Sequence, residues 1–402
     1  MVATTDTHLI DGEVFTSNNK NDEEQTTPPD IEIDKKYRRG EMRIITEQGR
    51  INLHAIVTTL DSKQGRKSKY ILNPVYQRRK RWDNRKKSLL IESFIINVPI
   101  PPIYLYEVEY AVYEVMDGLQ RLTTVYDFYK GKFALEGLEY WKELNGKTYQ
   151  ELPENVKAGI DRRYLSSIVL LAETSKKTED AEFLKRLVFE RLNNGGVKLT
   201  AQETRNALYS GKFNELCLKL AEHENFRKMW HFPLMSADEE ELLKNDPYRE
   251  MQDVELVLRF FAYRHIDKLI SPTSKFLDDF LKQANNYPDY TLLKLEKLFT
   301  QTVDTIYNIF GENAFILPKQ NIQYKSPTKT IYDAMMQAFA NNIEHHDAFF
   351  ENKKSIKKDL YKDISSFDDK NDEPLFNGRL NSKKHIIRRI EYFHNYLQNH
   401  IS

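Results

Sequence analysis

The stretch Val115-Met116-Asp117-Gly118-Leu119-Gln120-Arg121-Leu122-Thr123-Thr124 constrains this chain more than any other part of it. A short apolar strand runs into a polar turn, and the turn opens a helix that continues through Val125, Tyr126 and Tyr129. Such a junction sets unpaired backbone N–H groups beside a carboxylate, an amide and a guanidinium. Together these can hold a phosphate and its counter-ion.

The elements around the junction follow from local signals. Asp83 can cap a helix starting at Asn84, with Leu89, Leu90, Ser93, Phe94 and Asn97 recurring on one side and Pro99, Pro101 and Pro102 stopping it. Residues 103–108 and 111–116 are rich in Val, Ile and Tyr and read as strands; their short connection makes them antiparallel. The helix after Asp117 ends near Lys130 and Gly131, where glycine can take a left-handed cap. From about Asn155 the pattern turns helical. Thr200 and Glu203 form a capping box, and long helices are predicted at 213–220, 252–269, 292–310, 331–341 and 383–397. The expected fold class is α+β: a small mixed α/β domain over 41–150, preceded by a flexible acidic leader (1–40) and followed by a mainly helical region (151–402).

Composition adds a few exclusions. The 402 residues suffice for two or three cores. Sixty basic residues balance sixty acidic ones, so net charge selects no partner. Distribution says more: residues 61–90 hold eleven Lys or Arg against two acidic residues, whereas 1–34 hold nine acidic residues and one Lys. Such segregation can steer an anion to one face, or can simply be a solvated loop. Cys217 is the single cysteine, which excludes an intrachain disulfide and a cysteine-based zinc site, and it reads as a small core residue. No secretory signal and no apolar run of spanning length is visible, so a soluble cytoplasmic protein without a membrane partner is expected.

Four segments, in order, resemble the DUF262 family, the ParB/sulfiredoxin-like domain also found in GmrSD-type restriction proteins. They are Pro74-Val75-Tyr76-Gln77-Arg78-Arg79-Lys80-Arg81-Trp82, Asn97-Val98-Pro99-Ile100-Pro101-Pro102-Ile103, the stretch from Asp117 to Thr124, and Phe189-Glu190-Arg191-Leu192-Asn193-Asn194-Gly195-Gly196-Val197-Lys198-Leu199. Together they cover residues 70–205, with a looser similarity around Arg388-Arg389-Ile390. The third segment is similar to the family's Asp-Gly-Gln-Gln-Arg signature, with Leu119 in place of the first Gln. The resemblance implies a small ParB/sulfiredoxin-like α/β domain fused to helices, a signature acting in nucleoside-triphosphate binding and hydrolysis, and a role in DNA restriction or antiviral defence. Some relatives add a nuclease domain of the His-Asn-His type; no comparable arrangement is visible here.

The candidate roles then divide as follows. Asp117, Gln120 and Arg121 are the candidate catalytic residues: Arg121 as a rigid cationic fork for phosphate, Gln120 to orient water or a phosphate oxygen, and Asp117 to orient water or bind Mg²⁺. An Asp helix cap with a salt-bridged Arg is the structural alternative. Tyr76, Gln77, Arg78, Gly118, Asn193 and Gly196 are candidate nucleotide contacts; alternatively Tyr76 and Trp82 anchor a loop, and the Asn193 segment merely connects two helices. Arg79, Lys80, Arg81, Arg85, Lys86 and Lys87 suit DNA backbone contact, which needs charge more than exact geometry. Cleavage of DNA by Asp117 and Mg²⁺, and nucleotide sensing without turnover, are the competing functions. A separate nuclease and a second copy of the chain remain open as partners. The phosphate-loop motif Gly-x-x-x-x-Gly-Lys-Ser/Thr is absent. His223, His231, His345 and His346 show no metal-binding spacing, and Phe260, Phe261 and Tyr263 read as helix packing.

Overall fold

The structure is a computed structural model that describes residues 9–17, 30–38, 44–60, 69–72, 82–171, 178–193, 200–316, 326–358, 360, 364, 375–376 and 382–400. The chain divides into two compact units, one formed by residues 22–199 and one by residues 1–21 with 200–402.

The first unit is built on a five-stranded mixed sheet of order β1-β5-β3-β4-β2, with β1 Thr46–Asn52, β2 Tyr70–Ile71, β3 Ile103–Glu109, β4 Val112–Asp117 and β5 Tyr164–Leu170. Strands β3 and β4 form the expected antiparallel hairpin. Ala111 takes a left-handed conformation at its tip (φ +59°), where its N–H donates to the Glu107 carboxylate. Strand β5 lies parallel to β3 and antiparallel to β1. It places residues 164–170 in the sheet of the unit formed by residues 22–199. Ser166 and Ser167 interrupt the apolar run, and the strand's pairing partners lie far away in sequence.

The helices of this unit are α1 Asp30–Arg38, α2 Leu53–Leu60, α3 Asn84–Ile96, α4 Leu119–Tyr129, α5 Glu154–Asp161 and α6 Thr178–Asn193. Leu53 and Ile56 of α2, Ile91 and Phe94 of α3 and Leu122 and Phe128 of α4 share one core with Ile103, Leu105 and Val115 of the sheet. Each such side chain contributes roughly 1.5–3 kcal/mol through its burial. Helix α3 begins where the Asp83 carboxylate accepts the Lys86 N–H (2.7 Å) and ends at left-handed Asn97 (φ +62°). Helix α6 packs on β4, where Lys185 Nζ lies 2.7 Å from Glu114 and over the Tyr106 ring.

The segment after α4 is tied to α3 through one buried carboxylate. Glu92 accepts the N–H groups of Glu139, Tyr140 and Trp141 at 3.1, 2.8 and 2.8 Å. Burial alone would raise its pKa, but the three donors hold it below the ordinary value. A depressed folded-state pKa contributes stability above the unfolded-state value, and that stability is lost as the pH falls through the folded-state value. Glu92→Gln is therefore expected to cost about 2 kcal/mol at neutral pH, with the gap to wild type closing as the pH falls below the ordinary glutamate value. Denaturant unfolding across that range measures it; a gap that does not vary with pH would contradict it.

The second unit is helical. Its core centres on the helices Gln252–Tyr263, Thr273–Ala284, Asp289–Phe310, Lys329–Ala340 and Lys383–Gln398. Phe260, Phe261 and Tyr263 are buried there as expected, and so is Cys217, whose thiol pKa burial pushes well up. The Thr200 capping box is formed in full. The helix predicted over 252–269 stops at Tyr263 and is followed by a 3₁₀ turn, Ile266–Lys268. Arg227 is wholly buried, with Nη1 donating to Asp253 at 3.1 Å and its guanidinium over the Tyr248 ring.

The leader expected over 1–40 is in part folded structure. Phe15 and Glu13 are buried in the helical unit, Glu13 against Arg264, and residues 30–38 form α1. Their partners lie about 250 positions away, so a reading of local composition does not reach them.

Candidate functional site

Strand β4 delivers Asp117 to the end of the sheet, and Gly118 turns the chain directly into α4. A bulge prepares the turn. Leu105 pairs with Val115 while Tyr104 pairs with Asp117, so Met116 is an extra residue that bends the strand end. Gly118 then adopts φ +89°, and a Cβ there would meet Ile103 Cγ2 at 2.4 Å and Arg121 Nη2 at 2.9 Å. Both the backbone conformation and the close approach require glycine.

The helix cap is Gly118, not Asp117, and no side chain caps it. Leu122 N–H is the first to close onto Gly118 O, at 3.0 Å. The N–H groups of Leu119, Gln120 and Arg121 are thereby left without intrahelical acceptors at the positive end of the helix dipole.

Arg121 stands over this opening. Its Nη2 donates to Asp117 Oδ2 at 3.0 Å and to Pro102 O at 3.1 Å. The side chain is 14% exposed, against 45% for Asp117, and its buried Nε has no hydrogen-bond partner among the described residues. The pair is thus asymmetric: a fixed cation with unspent donor capacity beside a carboxylate that water reaches. An i,i+4 ion pair this exposed on its acidic side contributes at most about 1 kcal/mol to stability, so its partner can be exchanged. Gln120 is also held, its Oε1 accepting the Trp82 N–H at 3.3 Å. Leu119, at the position of the departure from the signature, is partly buried against the core of the unit.

The corner therefore brings Asp117, Gly118, Gln120 and Arg121 together. Tyr76, Gln77, Arg78, Arg79, Lys80, Arg81 and Gly196 lie outside the described residues, and Asn193 is described only as the last residue of α6. Arg85 and Lys86 are exposed on the first turn of α3. Lys87 instead faces inward, 3.7 Å from Asp127 and over the Phe133 ring. Two participants were not visible beforehand. The Pro102 carbonyl and the Trp82 N–H are backbone groups, and no residue type announces them.

Among the described residues no three His, Cys, Asp or Glu side chains are grouped to hold a metal ion. Asp117 keeps Oδ1 outside its pair with Arg121, which suits an ion such as Mg²⁺ that binds one carboxylate together with substrate phosphate oxygens and water. No helix of the described residues is long and apolar enough to cross a membrane. An open cavity of about 710 Å³ in the helical unit, lined in part by Lys228, His231 and Lys244, contains none of the corner residues.

Comparison with curated proteins and with solved structures returned no match. A family model did match: residues 57–210 align with the GmrSD restriction endonuclease, N-terminal domain. The matched stretch holds the Pro102 carbonyl, the bulged end of β4, the corner and the whole of α6. Residues 57–210 are thus similar to the N-terminal domain of GmrSD restriction endonucleases.

Proposed function

We propose that the corner at Asp117 binds the phosphates of a nucleoside triphosphate and promotes hydrolysis, as part of a restriction or defence activity directed at DNA. The observation that carries this reading is Arg121: a guanidinium held by Pro102 O and Asp117, with a buried Nε that has no partner among the described residues, beside three N–H groups of α4 that have no intrahelical acceptor. A terminal phosphate arriving there exchanges with Asp117 as the partner of the guanidinium. The released carboxylate then orients water toward phosphorus, while Arg121 and the helix end take up charge on the transferring oxygens. Gln120 keeps its amide nitrogen for a phosphate oxygen or that water. Mg²⁺ held by Asp117 would neutralise phosphate charge when bound. In this reading Tyr76, Gln77, Arg78, Asn193 and Gly196 are the further nucleotide contacts.

Phosphate release across the four nucleoside triphosphates, with and without Mg²⁺ and DNA, tests it. Release from at least one is expected; neither release nor binding would reject it. A second reading, nucleotide sensing without turnover, draws on Leu119, whose contact with the core leaves the corner one amide short of the signature. Binding without release would favour it. Cleavage of DNA by this chain stands lower, since no group of three His, Cys, Asp or Glu side chains gathers around a metal position among the described residues.

DNA contact is assigned to Arg79, Lys80, Arg81, Arg85 and Lys86. Replacing Arg79 and Arg81 by Gln is expected to weaken DNA binding and to lower the slope of log K against log salt by roughly two. Filter binding over a salt series measures this, and an unchanged slope would remove these residues from the interface.

A further inference from the structure

The segment at residues 9–17 joins no β-ladder, and side chains of the helical unit hold it residue by residue. Thr291 Oγ1 donates to Asp11 O at 2.7 Å, and Tyr287 OH donates to Val14 O at 3.1 Å. Lys268 donates to Phe15 O, while Gln283 takes the Thr16 N–H at 3.0 Å and returns a bond to Thr16 O at 2.9 Å. Two side chains of the segment are anchors. Glu13 accepts from Arg264 Nε and Nη2 at 2.8 and 3.0 Å, with both side chains essentially sealed from water. Phe15 sits among His265, Phe276 and Phe280, with ring centroids 5.7, 5.4 and 5.6 Å away. Gly12 lies so close to Thr291 that a Cβ would come within 2.4 Å of its Oγ1, whereas Val14 between the anchors is 67% exposed.

This is how a groove recognises a peptide: main-chain groups give affinity, and spaced side-chain pockets give specificity. We propose that the helical unit carries a peptide-binding groove for the segment Ile10-Asp11-Gly12-Glu13-Val14-Phe15-Thr16, filled here by the chain's own residues and able to take the same segment from a second copy. The hydrogen bonds and ring contacts given above are made by side chains of residues 264–291 and are equally available to a segment arriving from another chain. In the wild-type chain the internal segment is favoured, because its pairing is intramolecular and does not depend on protein concentration. The groove is thus a latent dimerisation site.

A charge exchange between two full-length variants tests this. In Glu13→Arg the internal pair becomes Arg against Arg264, and in Arg264→Glu it becomes Glu13 against Glu. Each variant alone repels its own segment. Mixed, the two offer opposite charges in both crossed pairings, so exchange should produce a 1:1 heterodimer. Native mass spectrometry of the mixture is expected to show that heterodimer as the main species, with each variant alone monomeric. Two folded variants that stay monomeric when mixed would overturn the proposal. As a second measurement, a fluorescein-labelled peptide of residues 9–17 is titrated into the full-length Phe15→Ala chain, whose groove is intact but whose own segment is weakened. Binding at least tenfold tighter than to wild type is expected. Equal or absent binding, or failure of all these variants to fold, would make the segment a fixed part of the core and would also overturn it.

Discussion

Arg121→Ala is expected to lower phosphate release by about 10²–10³-fold, the usual consequence of removing one fixed donor from a developing oxyanion. Stability should change little by comparison. The residue pairs with an Asp117 that is 45% exposed, and water can take over that carboxylate once the guanidinium is gone. Lost packing of the arginine stem adds about 1 kcal/mol. Arg121→Lys keeps the charge but not the fork that reaches Pro102 O and Asp117 together, so it should recover only part of the rate. The informative outcome is a large kinetic loss with an almost unchanged melting temperature. Full activity in Arg121→Ala would place the chemistry elsewhere; a collapse in stability would make the residue a structural clamp.

Gly118→Ala should give the opposite signature, a structural failure that takes the site with it. The left-handed backbone costs a side-chain-bearing residue about 1–2 kcal/mol, and forcing a methyl group into Ile103 adds roughly 1–3 kcal/mol. The stiffer unfolded chain returns under about 1 kcal/mol, leaving a net loss of about 3 kcal/mol. For a unit of this size that lowers the melting temperature by roughly 10 °C. Gly146 supplies the control. It has φ +82° but nothing within 4 Å of an added Cβ, so Gly146→Ala should show the backbone cost alone. Equal losses at the two positions, measured by thermal unfolding, would mean that contact with Ile103 does not shape the corner.

Much of this corner was legible in the sequence because it is local. The strand, the turn glycine, the helix and Arg121 one turn from Asp117 fall within a dozen residues, and each has its own signal. The caps at Asp83 and Thr200 were readable for the same reason: a capping side chain meets backbone three residues away. The alternative in which Asp117 caps the helix does not hold, since the bulge at Met116 extends the strand through it and Gly118 is the cap. Long-range pairings stayed hidden. Strand β5 owes its place to β1 and β3, and the buried Glu13 and Phe15 owe theirs to residues some 250 positions on. Backbone partners such as Pro102 O are invisible for a different reason, since every residue has a carbonyl and only the fold selects one.

The most direct measurement on the corner is amide hydrogen exchange at Leu119, Gln120 and Arg121, followed with and without a nucleoside triphosphate. These three N–H groups have no intrahelical acceptor in the free protein, so slowed exchange at them on nucleotide addition is the expected result, and Arg121→Ala should abolish it. Bound nucleotide that slows exchange elsewhere in the chain and leaves these three amides unchanged would contradict the assignment.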